Sequence, residues 1–435
     1  MNRNRQTQDA RSIHGTARLA LMSEMRTLET DVLVVGAGPA GSSAAAWLAR
    51  QGRSVLLADA EVFPRDKACG DGLTPRAIAE LIHLGMGDFL GGRARNMGLR
   101  AAGFGQVLHL PWPGGSLPNY GGAAPRMVLD AAIRQVALDS GAQPLEAARA
   151  VDVERNGNRL AAVIFDFEGS PLRVQANTVI VADGARSQLG RQLGREWHRD
   201  TAYGVAARGY ITSERSADPW ISSHLELRGR DNEILSGYGW IFPLADGTVN
   251  IGVGTLATSK RPAEINLRQL MDFYADNQRE EWKLSGEVQK PWSALLPMGG
   301  AVSNVAGTNW LLIGDAAGCV NPLNGEGIDY GLETGRLAAE YLSTRPTDFT
   351  EQWPDILREH YGLAFSAARR IAGILTSPEL LRIAGPIGMR SRWLMEIALR
   401  IMGNLVTPDD TDALARVWRT VGRASIALDE RKPFS

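Results

Sequence analysis

The sequence predicts an α/β protein in which a parallel sheet with flanking helices is interrupted by antiparallel sheets and followed by a helical C-terminal region. Three observations support this fold class. A strand, an Ala-rich helix and a second strand follow one another within residues 31–59; blocks of short strands lie at 98–122 and 203–256; and the chain after residue 346 is mainly helical. With 435 residues, the chain is too long for one compact core.

Composition and charge narrow the class of function. Apolar residues make up 44% and charged residues 22% of the chain, which is typical of a soluble globular protein, and the formal net charge of −1 gives no reason to expect a nucleic-acid partner. The two cysteines, Cys69 and Cys319, form no C-x-x-C pair, so we expect neither a disulfide framework nor a zinc site, and predict a reducing cytoplasm as the compartment.

The loop after the first strand has the pattern of a dinucleotide-binding turn. It reads Gly36, Ala37, Gly38, Pro39, Ala40 and Gly41. In such a loop Gly36 permits the tight turn, Gly38 lets the backbone approach a pyrophosphate, and Gly41 allows the helix to pack on the strand. The helix start offers free N–H groups to a phosphate, and Asp59 at the end of the second strand is placed to accept ribose hydroxyls. A purely structural glycine turn is the alternative, and the strand–turn–helix context argues against it.

Two later segments favour FAD over a nicotinamide dinucleotide as the bound cofactor. Asp183 and Gly184 follow one apolar strand, whereas Gly314 and Asp315 follow another, so that Asp315 is placed to bind the ribityl chain. Taken singly, each pair is typical of a turn, but their order after the glycine loop indicates a flavin site. The sequence has no second G-x-G-x-x-G, so any contact with NAD(P)H is expected to be transient.

A third segment completes the predicted flavin site. Gly325, Gly327 and Ile328 lie where a new helix opens. The N-terminus of that helix would face the flavin pyrimidine edge and stabilise negative charge on the reduced ring.

The predicted FAD-binding domain is discontinuous along the chain. The apolar stretch within residues 1–29 is too short for a signal peptide, so we expect a disordered N-terminal extension; a true start at Met22 or Met25 is the alternative. The remaining segments are predicted as FAD-binding domain at 30–97, 123–200 and 291–345, substrate-binding antiparallel sheet at 98–122 and 201–290, and helical C-terminal region at 346–435.

These motifs resemble the geranylgeranyl reductase family of flavoproteins, which share the p-hydroxybenzoate hydroxylase fold. The resemblance extends from residue 31 to near the C-terminus and rests on residues 63–73, 238–243 and 324–328. It implies FAD as the cofactor and adds a basic and glycine-rich set to its contacts: Arg65, Lys67, Gly70, Gly72 and Arg126. Ala68 stands where the family pattern has proline, which affects only the expected stiffness of the loop.

Three residues are candidates for the chemistry. Cys69 lies between Lys67 and two glycines, so we expect Lys67 and Arg65 to lower the pKa of its thiol and the glycines to let a cofactor approach; an inert buried thiol is the alternative. Tyr238 and Trp240 alternate on a strand and therefore face one side, either as a substrate wall or as a core pair.

The resemblance implies reduction of a carbon–carbon double bond in a polyprenyl chain, with one isoprene unit of the menaquinone side chain as the first choice. Protonation of the alkene and hydride delivery from reduced flavin would form the product, and Tyr238 and Trp240 would stabilise the cation through their ring faces. The alternatives are a reductase of geranylgeranyl lipids or diphosphate, a flavin monooxygenase on an aromatic substrate, and a flavin redox carrier. Gly318, where related hydroxylases often have histidine, argues against the monooxygenase.

The C-terminal region carries a candidate membrane surface. Arg392, Glu396, Arg400 and Asn404 repeat every fourth residue on an otherwise apolar helix predicted at 391–405. The expected partners are a prenylated quinone or another polyprenyl lipid, a transient electron donor and an anionic membrane surface, which would place the protein peripherally on the cytoplasmic side. A helix packed onto the main body is the alternative.

Overall fold

The computed structural model describes residues 26–262 and 265–435. Most of the expected N-terminal extension therefore lies outside the described residues. Residues 26–29 of that segment belong to a strand, because their backbone pairs in parallel with residues 172–175. The sequence pattern missed these residues because the paired stretch is polar and partly exposed.

In chain order, the strands of the described residues are β1 (Arg26–Val35), β2 (Val55–Ala58), β3 (Gly72–Leu73), β4 (Arg95–Asn96), β5 (Gly98–Gly103), β6 (Gln106–Pro111), β7 (Gly121–Ala123), β8 (Gln143–Leu145), β9 (Ala148–Asn156), β10 (Arg159–Phe167), β11 (Ser170–Val181), β12 (Glu196–Trp197), β13 (Tyr203–Ser213), β14 (Trp220–His224), β15 (Gly237–Pro243), β16 (Thr248–Ala257), β17 (Leu284–Leu296), β18 (Val302–Ser303), β19 (Ala306–Gly307) and β20 (Trp310–Leu312).

The α-helices of the same residues are α1 (Pro39–Arg50), α2 (Pro75–His83), α3 (Arg126–Asp139), α4 (Gln188–Gln192), α5 (Leu267–Trp282), α6 (Ile328–Ser343), α7 (Gln352–Leu357), α8 (Leu363–Leu375), α9 (Pro378–Met389), α10 (Arg392–Met402) and α11 (Ala413–Ala427). A π-helical turn at Arg358–Gly362 joins α7 to α8, and a 3₁₀ turn at Gly314–Ala317 follows β20.

The larger sheet is built on a parallel core. Its strand order is β19-β20-β11-β1-β2-β8; β20, β11, β1, β2 and β8 run in parallel, and β9 and β10 extend β11 as an antiparallel meander. The central strand β1 is apolar and fully buried at Val32–Val35. Because parallel strands end at one edge, the loops after β1, β2, β11 and β20 meet there.

The second sheet has seven strands in the order β17-β13-β16-β15-β14-β5-β6. All neighbours are antiparallel except β14 and β5. Strands from residues 98–111 and from residues 203–296 thus lie in one sheet. Strand β17 continues to Leu296, beyond the boundary expected at residue 290, because its last residues still pair with β13.

The C-terminal helices cover one end of the second sheet. Met389 of α9 and Met395 and Leu399 of α10 pack with Leu110 of β6 and Ile221 of β14 in a buried cluster. Within the described residues, no helix has the length and apolar character needed to cross a membrane.

The polar stripe expected at 391–405 is shorter in the structure. Helix α10 ends at Met402, and Asn404 follows it with a left-handed backbone, φ +55°. The amide of Asn404 donates to Asp329 in the main body, so this residue belongs to the interior contacts and not to a surface stripe. The sequence periodicity runs on past the helix end, although Gly403 at the C-cap followed by Asn404 is a usual signal for the end of a helix.

Candidate active site

The glycine loop between β1 and α1 is shaped by two close backbone contacts. Gly36 has φ +106°, and a Cβ atom on it would lie 2.2 Å from the carbonyl oxygen of Ala182. A Cβ on Gly41 would lie 1.8 Å from the carbonyl oxygen of Gly36. Both positions therefore require glycine for packing, as the sequence pattern predicts.

Gly38 has a different surrounding. A Cβ on it would lie 3.4 Å from a guanidinium nitrogen of Arg65 and 4.0 Å from one of Arg126, at the N-terminus of α1. Asp130 holds both arginines: it accepts from Arg65 at 2.7 Å and from Arg126 through two bonds of 2.6 Å. The space beside Gly38 is thus bordered by two fixed cations and a helix N-terminus, which suits phosphate oxygens.

The acidic residues predicted at the strand ends fall into two groups. The Asp59 carboxylate accepts from the N–H of Ala37 at 2.7 Å, so it braces the glycine loop. Asp183 accepts from the N–H of Leu189 at 2.9 Å at the start of α4. Asp315 instead lines the central cavity, with Lys67 Nζ 3.8 Å from its Oδ2 atom.

A cavity of about 500 Å³ lies between the two sheets and the C-terminal helices. The predicted cofactor residues that line it are Gly38, Pro39, Ala40, Lys67, Gly70, Gly72, Arg126, Gly184, Gly314, Asp315, Gly325, Gly327 and Ile328. Five further predicted cofactor residues do not line the cavity and instead support the loops that do: Gly36, Gly41, Asp59, Arg65 and Asp183.

The far part of the cavity is apolar. Tyr238 and Trp240 face it from β15 as their alternation predicts, with ring centroids 5.9 Å apart, and Phe242 continues the row 6.4 Å from Trp240. Helices α9 and α10 close the opposite side with small and apolar side chains: Leu381, Ala384, Gly385, Gly388, Met389, Met395, Ala398, Leu399 and Met402. The cavity thus joins a phosphate-binding end to an aromatic and aliphatic end.

Cys69 lies on the loop between these two ends. A Cβ on Gly72 would lie 2.9 Å from the Phe242 ring, and one on Gly70 would lie 3.4 Å from the indole nitrogen of Trp240. The glycines beside Cys69 therefore make room for the aromatic row. This contact constrains them more tightly than the close approach of a cofactor that the sequence predicts. Cys69 itself lines the cavity and is half-buried.

The expectation that Lys67 and Arg65 lower the pKa of Cys69 is wrong. Burial raises the pKa of the thiol, and the charge of Asp71 acts in the same direction. The cation that opposes this increase is Arg126. The thiol thus stays protonated near neutral pH, as a proton donor must, and is not an activated thiolate.

Sequence reasoning missed a buried polar network behind Cys69. Asp71 is fully buried, and its Oδ2 atom accepts from the Tyr210 hydroxyl at 2.7 Å and from the Asn250 amide at 2.9 Å. Asn250 also accepts from the indole N–H of Trp240 at 2.9 Å. Asp71 lies within the family-like stretch 63–73 and was available as a signal, whereas Tyr210 and Asn250 carry no local motif.

A second missed group lies at the start of α6. Glu326 lines the cavity and accepts from the Thr74 hydroxyl at 2.7 Å. Burial raises the pKa of Glu326 well above its ordinary value, and the neighbouring Asp329 charge adds to the increase. Glu326 lies between Gly325 and Gly327, which the sequence predicts at the cofactor site. Its place in that motif is therefore the sequence signal that could have identified it.

The fold and the site define an FAD-dependent oxidoreductase. A family profile described as an FAD binding domain matches residues 29–231. A solved structure of a geranylgeranyl bacteriochlorophyll reductase-like protein from Thermoplasma acidophilum superposes with a TM-score of 0.73 at 19% identity, covering 91% of this chain and 100% of that one. The predicted fold class and the FAD cofactor are confirmed.

The chain belongs to the menaquinone reductase family. A menaquinone reductase from Mycolicibacterium smegmatis is 60% identical over 407 residues, which cover 93% of this chain and 99% of the relative. A more distant relative, a digeranylgeranylglycerophospholipid reductase from Methanopyrus kandleri, is 29% identical over 81% of this chain and 92% of its own length. The resemblance to geranylgeranyl reductases seen in the sequence is therefore confirmed.

Proposed function

We propose that this protein saturates one isoprene unit in the side chain of menaquinone. The observation that carries this proposal is the 60% identity to a menaquinone reductase over nearly the whole of both chains. The cavity is consistent with it, because its aromatic and aliphatic end suits an uncharged prenyl chain.

The cavity residues fit FAD at the opposite end. Gly38, Arg65 and Arg126 would hold the pyrophosphate, and Asp59 would take the ribose next to the loop that it braces. Asp315 would bind the ribityl chain, and the N-terminus of α6 would face the flavin ring. When bound and reduced, FAD supplies the hydride that the alkene needs. The reductant that recharges it, NAD(P)H or another donor, would dock only transiently.

The chain's own residues supply the rest of the chemistry. Cys69 holds a proton on Sγ at the junction of the two cavity ends. A positioned acid of this kind gives its proton to the alkene, and the faces of Tyr238 and Trp240 stabilise the positive charge that results. The apolar wall of α9 and α10 excludes water from that cation.

The substrate enters from a membrane surface formed by α9 and α10. The inner face of α9 lines the cavity, whereas Ile383 and Ile387 on its outer face are 66% and 60% exposed and Trp393 on α10 is 68% exposed. Arg382 and Arg390 flank these side chains on the exposed surface. Apolar side chains bordered by cations are typical of a helix that lies in an anionic lipid interface.

The decisive experiment measures the mass of the product. Expression in a host that makes only fully unsaturated menaquinone is expected to raise the mass of that quinone by two units, as read by mass spectrometry of extracted lipids. A Cys69→Ala strain is the control, since this variant is expected to keep the fold and the flavin and to lack the proposed proton donor. An unchanged quinone alongside saturated geranylgeranyl lipids would favour the lipid reductase suggested by the archaeal relative, and a product heavier by one oxygen would refute reduction.

A further inference from the structure

Asp71 combines complete burial with an incomplete set of partners. Both of its side-chain hydrogen bonds, from Tyr210 and Asn250, go to Oδ2. Its Oδ1 atom is buried and has no hydrogen-bond partner among the described residues. A buried oxygen without a partner is costly, and native structures rarely keep one unless it contacts water or serves chemistry.

The same residue is connected to Cys69 in two ways. The backbone N–H of Asp71 donates to Cys69 Sγ at 3.3 Å, and the Asn250 amide that bonds the Asp71 carboxyl also donates to the Cys69 carbonyl at 2.9 Å. Asp71 and Cys69 both line the cavity. Asn250 therefore bridges the Asp71 carboxyl and the Cys69 backbone, while the Asp71 N–H bonds the Cys69 thiol, so these contacts hold the two residues beside each other.

The surroundings of Asp71 allow it to exchange a proton near neutral pH. Burial raises its pKa to about 6, even though Tyr210 and Asn250 bond its ionised form. The charged groups that face it are Arg208 and Arg126, which both act to lower the pKa. A ligand that displaces water from the cleft adds to the desolvation and moves the pKa further upward.

We propose that Asp71 is the proton reservoir of Cys69. This rests on the proposed function. The Cys69 S–H bond breaks as a C–H bond forms on the alkene, and the hydride from reduced flavin completes the alkane. The thiolate then takes the proton of the Asp71 carboxyl, and the carboxylate regains a proton from water between turnovers. Asp71 acts through Cys69 and is a positioning and resupply residue.

The first test follows the Cys69 thiol without any turnover. The alkylation rate of Cys69 by iodoacetamide is measured against pH in the FAD-loaded protein, by mass spectrometry of the peptide that contains it. Asp71→Asn removes a negative charge beside the thiol, so the pH of half-maximal alkylation is expected to fall by about one unit. Asp66→Asn, which removes a carboxylate of the same loop that pairs with Arg208, is the matched control and should leave this pH in place. An unchanged profile in Asp71→Asn overturns the proposal, whether or not the protein reduces menaquinone.

The second test separates resupply from direct donation. With pre-reduced flavin, Asp71→Asn should complete its first turnover at the wild-type rate and then run about 10²-fold more slowly in steady state. A first turnover slowed as much as the steady state would overturn the reservoir role.

Tyr210→Phe provides a second variant should Asn at position 71 prevent folding. It removes one donor to the Asp71 carboxylate, which raises the pKa of that carboxyl. The alkaline limb of the steady-state pH–rate profile should therefore move to higher pH. A limb that stays in place would overturn the proposal.

Discussion

The Tyr238 hydroxyl donates a 2.5 Å hydrogen bond to the carbonyl oxygen of Asn324. This bond ties the aromatic row of β15 to the loop that leads into α6, so it joins the apolar end of the cavity to the predicted flavin-ring site. Burial raises the pKa of Tyr238, so the hydroxyl stays a donor throughout the physiological range. The residue therefore has two separable roles, one through its ring and one through its hydroxyl.

Tyr238→Phe and Tyr238→Ala should separate these roles. The Phe variant keeps the ring and loses a hydrogen bond of about 1 kcal/mol, so steady-state prenyl reduction should fall by less than about tenfold. The Ala variant also removes the ring face and should lose about 10²-fold or more. Equal losses in the two variants would mean that the hydroxyl, and not the ring, matters for turnover.

Gly38→Val should strip the flavin and leave a folded chain. A side chain at this position projects toward Arg65 and Arg126, where the pyrophosphate is expected, and meets no backbone. The purified variant is expected to lose the yellow flavin absorbance while its far-ultraviolet circular dichroism stays unchanged. Full FAD occupancy in the variant would contradict the assignment of this site.

Two other glycines serve as controls for that experiment. Gly373 lies in α8 with no atom within 4 Å of an added Cβ, so Gly373→Ala should keep FAD and gain about 0.5–1 kcal/mol of stability. Gly36→Ala would collide with the Ala182 carbonyl and should lower folded yield as well as flavin content.

Ionisation of Asp71 should destabilise the protein as pH rises from about 4 to 6. Its pKa is raised from an ordinary value of 3.8 to about 6, so the folded state binds the proton more tightly than the unfolded state. Ionisation therefore opposes folding, and the penalty grows as pH rises from about 4 to 6 and is then constant, reaching on the order of 3 kcal/mol. The stability advantage of Asp71→Asn over wild type, from urea unfolding, should grow through this window. An advantage that is the same at pH 4 and pH 7 would show that the pKa of Asp71 is ordinary.

The sequence predicted the phosphate end of the site far better than the network behind Cys69. The glycine loop and Asp59 belong to one local strand–helix–strand unit, β1–α1–β2, whose short-range pattern fixes their position. Tyr210 and Asn250 are 139 and 179 residues from Asp71, and they meet it because β13 and β16 pair Tyr210 with Asn250. Such a contact depends on strand register, which no local motif encodes.

Mutations on the outer face of α9 should weaken membrane binding. Ile383→Gln combined with Ile387→Gln replaces exposed apolar side chains, each worth about 1.5–3 kcal/mol when fully buried, so sedimentation with anionic vesicles should fall at least tenfold. Val151→Gln on β9 of the other sheet is the matched control and should bind as wild type. Unchanged binding of the double variant would show that the outer face of α9 does not lie in the lipid interface.

The two arginines of the polar stripe expected at 391–405 are poorer probes of the same surface. Arg400 pairs with Asp412 at 2.5 Å and lies 3.6 Å from Asp410, and Arg392 pairs with Glu396 at 2.8 Å. Charge reversal at these positions would break contacts of the fold as well as any lipid contact. Arg382 and Arg390, which are exposed, test the electrostatic part more cleanly, at roughly 1 kcal/mol per charge.

Cys69 should matter for turnover and not for flavin binding. Its thiol lines the cavity between the phosphate end and the aromatic row, and burial keeps it protonated. If it is the acid that protonates the alkene, Cys69→Ser should keep FAD and slow prenyl reduction by about 10²–10⁴-fold. Cys319→Ser is the matched control; Cys319 is fully buried in the core, so its variant should change stability more than the rate of the folded protein. A loss of less than about threefold in Cys69→Ser would make the thiol a packing residue. The proton would then have to come from one of the other cavity-lining acids whose pKa burial raises, Glu326 or Asp71.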